Sequence, residues 1–104
     1  MEKNELEITR EKTHDGIKFY LKGLINSEHA DMLQYKLEEA LGSGEHNIIL
    51  NMLWVEFLSS TGIRVLLKTF KEAREAGGNL SIEMPSQRVK NVLGLSALDE
   101  MLIK

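Results

Sequence analysis

The stretch Ile48–Leu67, IILNMLWVEFLSSTGIRVLL, decides the fold because three patterns follow one another in it. Ile48, Ile49 and Leu50 form a continuous apolar run, as carried by a strand covered on both faces. From Asn51 to Ser59 the pattern reads as a loop, yet Met52-Leu53-Trp54-Val55-Glu56-Phe57-Leu58 is apolar at almost every position. Not all of these side chains can turn inward from a loop. Met52, Val55 and Phe57 are expected to pack inside, and Leu53, Trp54 and Leu58 to lie nearer the surface. The hydroxyl cluster Ser59-Ser60-Thr61 and Gly62 come next. Ile63, Leu66, Leu67, Phe70 and Ala73 then recur at helical spacing, which predicts an amphipathic helix closed by Gly77-Gly78. Strand, greasy connection and helix start make the centre of a βα unit.

Working outward, Leu6 and Ile8, then Ile17, Phe19 and Leu21, alternate with a period of two and predict two strands. His14-Asp15-Gly16 between them predicts a hairpin turn with Gly16 at positive φ, and Gly23 is expected to end the second strand. From about Asn26 the period becomes helical through Ala30, Leu33, Leu37, Ala40 and Leu41, with Asn26 or Ser27 as cap and Gly42-Ser43-Gly44 as stop. Beyond the central stretch, Leu80, Ile82 and Met84 predict a strand. Pro85 or Ser86 opens a helix carrying Val89, Val92 and Leu93, which Gly94 is expected to end. Ser96–Glu100 allows one further helical turn, and Met101–Ile103 a last short strand. The order β-β-α-β-α-β-α-β predicts an α/β domain with a mixed, mostly parallel sheet of about five strands and three to four packed helices.

Several functions find no support. The chain has 104 residues and no cysteine, so disulfides, thiol catalysis and thiolate metal sites are absent. Its net charge of -3 argues against nucleic acid as the main partner. His14, His29 and His46 stand at no metal-ligand spacing. Gly42-Ser43-Gly44 follows a helix rather than a strand and lacks the Lys-Ser/Thr of a phosphate loop. No serine has an assignable base, and the carboxylates scatter as on solvated faces. An enzyme and a bound cofactor are therefore not expected. No apolar run approaches the ~20 residues of a membrane span. The polar, mixed-charge start Met1–Glu5 does not read as a signal peptide, so the expected address is the cytoplasm and the expected organisation one domain over 1–104.

What remains is the hydroxyl cluster at a helix start. Unpaired N–H groups there satisfy a serine oxygen and also favour an anion. A phosphate on Ser60 would bring about -1.5 to -2 charges. Arg64, one turn on, could add a contact. On local chemistry alone Ser59 or Ser60 reads as a plain cap, since most helices begin with such residues, and capping and phosphorylation are compatible in one serine. Trp54 and its neighbours read either as an exposed docking patch or as a fold-back over the core rim.

The stretch Ile48–Leu67 resembles the central motif of STAS domains of the anti-sigma-factor-antagonist branch: a strand, Asp-Leu-Ser, an apolar loop, Asp-Ser-Ser-Gly and a helix. The resemblance runs along the chain. Gly23–Asn26 stands at the family's Gly-x-x-Asp, Ala76–Leu80 at its glycine turn, and Val92–Asp99 at its closing leucine-rich segment. It implies that Ser60 is the phosphorylated serine, with Ser59 and Thr61 as alternatives, and that Gly62 is the motif glycine. Together with the apolar side chains and Arg64 next to the hydroxyl cluster, it gives an expected partner surface of Asn26, Leu53, Trp54, Leu58, Ser59, Thr61, Gly62 and Arg64. Asn26, Asn51 and Ser59 stand where the family has Asp, and Leu53 and Trp54 where it has small residues. The implied activity is partner switching. An anti-sigma factor that is also a GHKL-type serine kinase is bound, phosphorylation ends the binding, and a PP2C-type phosphatase resets it. A monomer or weak dimer is expected. Other members suggest two alternatives, a nucleotide or ligand sensor and a structural subunit of a transport or signalling complex.

Overall fold

A computed structural model describes residues 5–95 and 97–104. The elements are β1 (Leu6–Lys12), β2 (Ile17–Ile25), α1 (Ser27–Gly42), β3 (Asn47–Leu58), α2 (Ser60–Glu75), β4 (Asn79–Glu83), α3 (Gln87–Leu95) and α4 (Asp99–Leu102). The strands form one sheet in the order β1-β2-β3-β4. β1 runs antiparallel to β2, whereas β2, β3 and β4 are mutually parallel. The crossovers predicted from the alternation of strand and helix are α1, between β2 and β3, and α2, between β3 and β4.

The sheet has four strands rather than about five. The segment expected to supply the last strand winds as α4 through Leu102 and leaves only Ile103, which makes a single parallel bridge to Ile82. Ser96, the first residue of the predicted extra turn, lies outside the described residues, and the helix begins at Asp99. α3 runs one residue past Gly94, to Leu95. The fourth strand stops at Glu83, because Met84 turns the chain with φ 52.

The core lies on one face of the sheet. Phe19, Leu21, Ile48, Leu50, Leu80 and Ile82 are buried there against Leu33 and Leu37 of α1, Leu66 of α2, and Val89 and Leu93 of α3. Each such side chain contributes about 1.5–3 kcal/mol through burial. The buried stripe of α2 is Gly62, Val65, Leu66, Thr69 and Ala73, with Ile63, Leu67 and Phe70 only partly buried beside it. The opposite sheet face carries Lys18, Tyr20 and Lys22. There Lys18 pairs with Glu83 at 2.7 Å and Tyr20 donates to Glu11 at 2.8 Å. Each bond holds its donor's pKa above the ordinary value.

Two glycines act differently from the prediction. Gly16 is not a positive-φ residue. It is buried, and a Cβ there would strike the backbone oxygen of Asn47. Close approach of the hairpin to the start of β3 excludes a side chain. Gly23 lies inside β2 with φ 117, at a register irregularity and against the Glu5 carbonyl, so it bends the strand without ending it.

Candidate functional site

The greasy segment is strand, not loop: β3 continues through Leu58. Strict alternation would have revealed it, and two bulges break the alternation. Tyr20 pairs with Asn51 and Lys22 with Trp54, so β3 spends three residues where β2 spends two. Gly23 pairs with Val55 and Leu24 with Phe57, so a second extra residue enters at Glu56. Each bulge lets two consecutive side chains face outward. Leu53 and Trp54 do so, then Glu56 and Phe57, while Met52, Val55 and Leu58 return to the core.

Both bulges are stitched by side chains. Asn51 Oδ1 accepts the Leu53 N–H at 3.2 Å. β4 reaches only as far as Asn51, so the carbonyls beyond it need other donors. The Ser86 N–H donates to Met52 O at 3.1 Å and the Ser86 hydroxyl to Val55 O at 2.7 Å. Ser86 Oγ also accepts the Val89 N–H at 3.2 Å, which caps α3. The sequence marks Ser86 as a candidate helix start, but no pattern in it signals the bonds to β3.

These bulges correct two assignments. Phe57, expected inside, is 43% exposed, and Leu58, expected near the surface, is 3% exposed. The second extra residue moves the inward position from Phe57 to Leu58. Leu58 is therefore not available to a partner. Leu53 and Trp54 are exposed as expected, Trp54 at 64%, so the fold-back over the core rim does not occur.

At the carboxyl ends of β2 and β3 the chain enters α1 and α2, and the two helix starts lie side by side. Asn26 caps α1, its Oδ1 accepting the His29 N–H at 2.9 Å. Ser59 caps α2, its Oγ accepting the Gly62 N–H at 3.0 Å. The Ser59 N–H donates to Ile25 O at 2.9 Å, which ties the two strand ends together. The hydroxyls of Ser27 and Thr61 are 3.4 Å apart, linking one helix start to the other. Gly62 is buried at this joint. A Cβ there would come within 2.8 Å of Ile25 Cγ2 and 2.9 Å of Leu58 Cδ1, so only glycine lets α2 begin so close to the strands.

Ser60 is the first residue of α2 and is exposed. Its hydroxyl makes no hydrogen bond among the described residues. Thr61 is half-buried and faces Ser27. Arg64 is exposed one turn along, and no acid stands in the first turn of α2. Asn26, Ser59, Ser60, Thr61 and Gly62 thus gather at one end of the sheet. Arg64 lies just beyond on the helix, and Leu53, Trp54 and Phe57 on the strand that leads in. Phe57, which sequence reasoning placed in the core, joins this surface.

With this geometry in place, comparison with known proteins is decisive. A family model described as the STAS domain matches residues 7–104. The chain belongs to the STAS domain family. Among curated relatives of this STAS chain is BtrV of Bordetella bronchiseptica, assigned as an anti-sigma factor antagonist. It is 28% identical over 91 residues, or 88% of this chain and 78% of the relative. The structure of an anti-sigma factor antagonist from Mycobacterium paratuberculosis superposes with a TM-score of 0.85 at 17% identity, covering 96% of this chain and 86% of that one. The anti-sigma factor antagonist SpoIIAA in its unphosphorylated form gives 0.81 at 21% identity, covering 96% and 86%. Bacillus SpoIIAA in its phosphorylated form gives 0.75 at 20% identity, covering 96% and 89%. At these identities the superpositions establish the STAS fold. No helix among the described residues is long and apolar enough to cross a membrane.

Proposed function

We propose that this STAS domain is an anti-sigma factor antagonist, a cytoplasmic binding module rather than an enzyme, switched by phosphorylation of Ser60. In the unmodified state it binds an anti-sigma factor that is also a GHKL-type serine kinase. The Ser60 oxygen attacks the γ-phosphorus of ATP, an O–P bond forms, ADP leaves with the electrons of the broken bond, and the hydroxyl proton passes to a general base of the kinase. The modified protein is released, and hydrolysis by a PP2C-type phosphatase restores the serine.

The observation that carries this reading is the exposed Ser60 hydroxyl at the start of α2, reached from a strand that exposes Phe57 just before it and Leu53 and Trp54 further back. An enzyme can reach it, and a partner covering Phe57 and the helix start would meet it. Further support comes from SpoIIAA, a protein of the same fold known in unphosphorylated and phosphorylated forms. The three positions that depart from the family's aspartates do not weaken the frame. Asn26 and Ser59 cap helices and Asn51 holds a bulge, tasks that an oxygen acceptor of either kind performs.

A charge buried without a partner at a tight interface costs several kcal/mol. About 2.7 kcal/mol already lowers affinity a hundredfold. The test is calorimetric binding to a GHKL-type kinase encoded beside this gene, with wild type, Ser60→Ala and Ser60→Asp. Wild type and Ser60→Ala are expected to bind alike, and Ser60→Asp about a hundredfold more weakly. Equal affinity of all three would end the reading.

A further inference from the structure

We propose that Arg64 is the internal counter-ion of a phosphate on Ser60, so that phosphorylation withdraws a free cation from the docking surface as well as adding a negative charge. The proposal rests on the phosphorylation reading and specifies how that site would signal. Ser60 and Arg64 stand four residues apart on the solvent-facing side of α2, and both are exposed. Positions so spaced are roughly 5–6 Å apart between Cβ atoms, within reach of an arginine fork and a phosphate. Arg64 forms no ion pair among the described residues. The next cation along the same stripe, Lys68, is engaged with Glu38 at 3.3 Å.

Two further features leave Arg64 free for this task. The cap of α2 is held by Ser59, so modification of Ser60 leaves the helix start intact. The elements packed around this end carry Glu28, His29 and Asp31 on α1, Lys22 on β2 and Glu56 on β3 as their charged or titratable groups. His29 is already engaged with the Leu24 carbonyl, Glu28, Asp31 and Glu56 would repel a phosphate, and Lys22 stands three residues back from the end of β2, opposite Trp54. The guanidinium one turn away is then the side chain that meets the new charge. In the unmodified protein that guanidinium is available to a carboxylate of a partner. In the modified protein it is not.

The test uses the full chain with phosphoserine inserted at position 60 during translation, and follows the phosphorus resonance with pH. The second ionisation of phosphoserine falls near pH 6. A nearby cation favours the dianion and lowers that midpoint, so Arg64→Gln is expected to raise it by about half a unit or more. Arg64→Lys should lie between the two, and Lys68→Gln should match wild type. Coincident curves for wild type and Arg64→Gln would overturn the proposal, as would an equal shift from Lys68→Gln. If the curves coincide while Ser60→Asp still abolishes partner binding, only the role of Arg64 falls. If Arg64→Gln shifts the midpoint while Ser60→Asp binds like wild type, the counter-ion stands and the partner switch falls.

Discussion

The Ser59 oxygen accepts the Gly62 N–H at 3.0 Å, and this bond divides the labour within the hydroxyl cluster. Ser59 is spent on the helix start, so Ser60 beside it has no structural task to lose. Removing an N-cap oxygen costs about 1 kcal/mol. An exposed position without partners changes stability by about 0.5 kcal/mol or less. Urea unfolding is expected to show Ser59→Ala destabilised by about 1 kcal/mol and Ser60→Ala close to wild type. The reverse order would move the cap, and with it the accessible hydroxyl, by one residue.

Adjacent residues on β3 should respond in opposite ways. Leu58 is buried beneath Gly62, and truncation of such a side chain costs about 2–5 kcal/mol. Trp54 is largely exposed and Phe57 is rather more than half covered, so Trp54→Ser is expected to cost about 1 kcal/mol or less and Phe57→Ser about 1–2 kcal/mol, both below Leu58→Ala. Both should nevertheless weaken partner binding, since exposed aromatic side chains are the usual anchors of an interface. Chemical denaturation and calorimetry on the same variants separate the two effects.

The first bulge has its own test. Asn51→Ala removes the acceptor for the Leu53 N–H and should cost about 1 kcal/mol, whereas Asn51→Asp keeps an acceptor and should be tolerated. Trp54 is the chain's one tryptophan and follows the bulge directly, so its emission reports the change. A shift in Asn51→Ala with none in Asn51→Asp is the expected pattern.

Met84 ends β4 in the left-handed region with φ 52 and an exposed side chain. That conformation costs an L-residue about 1–2 kcal/mol, part of which glycine gives back in chain entropy. Met84→Gly is therefore expected to stabilise the protein by about 0.5 kcal/mol, read as a rise in Tm. A fall would show that the Met84 side chain contributes packing which its exposure conceals.

Much of this was legible from residue spacing. Ala30, Leu33, Leu37 and Ala40 mark the buried stripe of α1 because one helical face must meet the sheet. Ile48 and Leu50 mark the central strand, and Asn26 and the hydroxyl cluster mark two helix starts. The segment from Met52 to Leu58 misled for a physical reason. Periodicity identifies a strand only while each residue advances the ladder by one, and two bulges break that rule within seven positions. The last strand failed likewise, since a short apolar run such as Met101–Ile103 suits a helical turn or a bridge equally well.

The amino-acid order by itself therefore determined the order of elements from β1 to α3, the mixed α/β class, the family and a helix start at the hydroxyl cluster, because these depend on local period and on motif. Only the tertiary structure decided which of two adjacent serines caps the helix and which of Phe57 and Leu58 faces solvent. Those choices depend on how β3 registers against β2 and how closely α2 sits on the strand ends. Register is a relation between segments distant in sequence, so it is settled only when they pack.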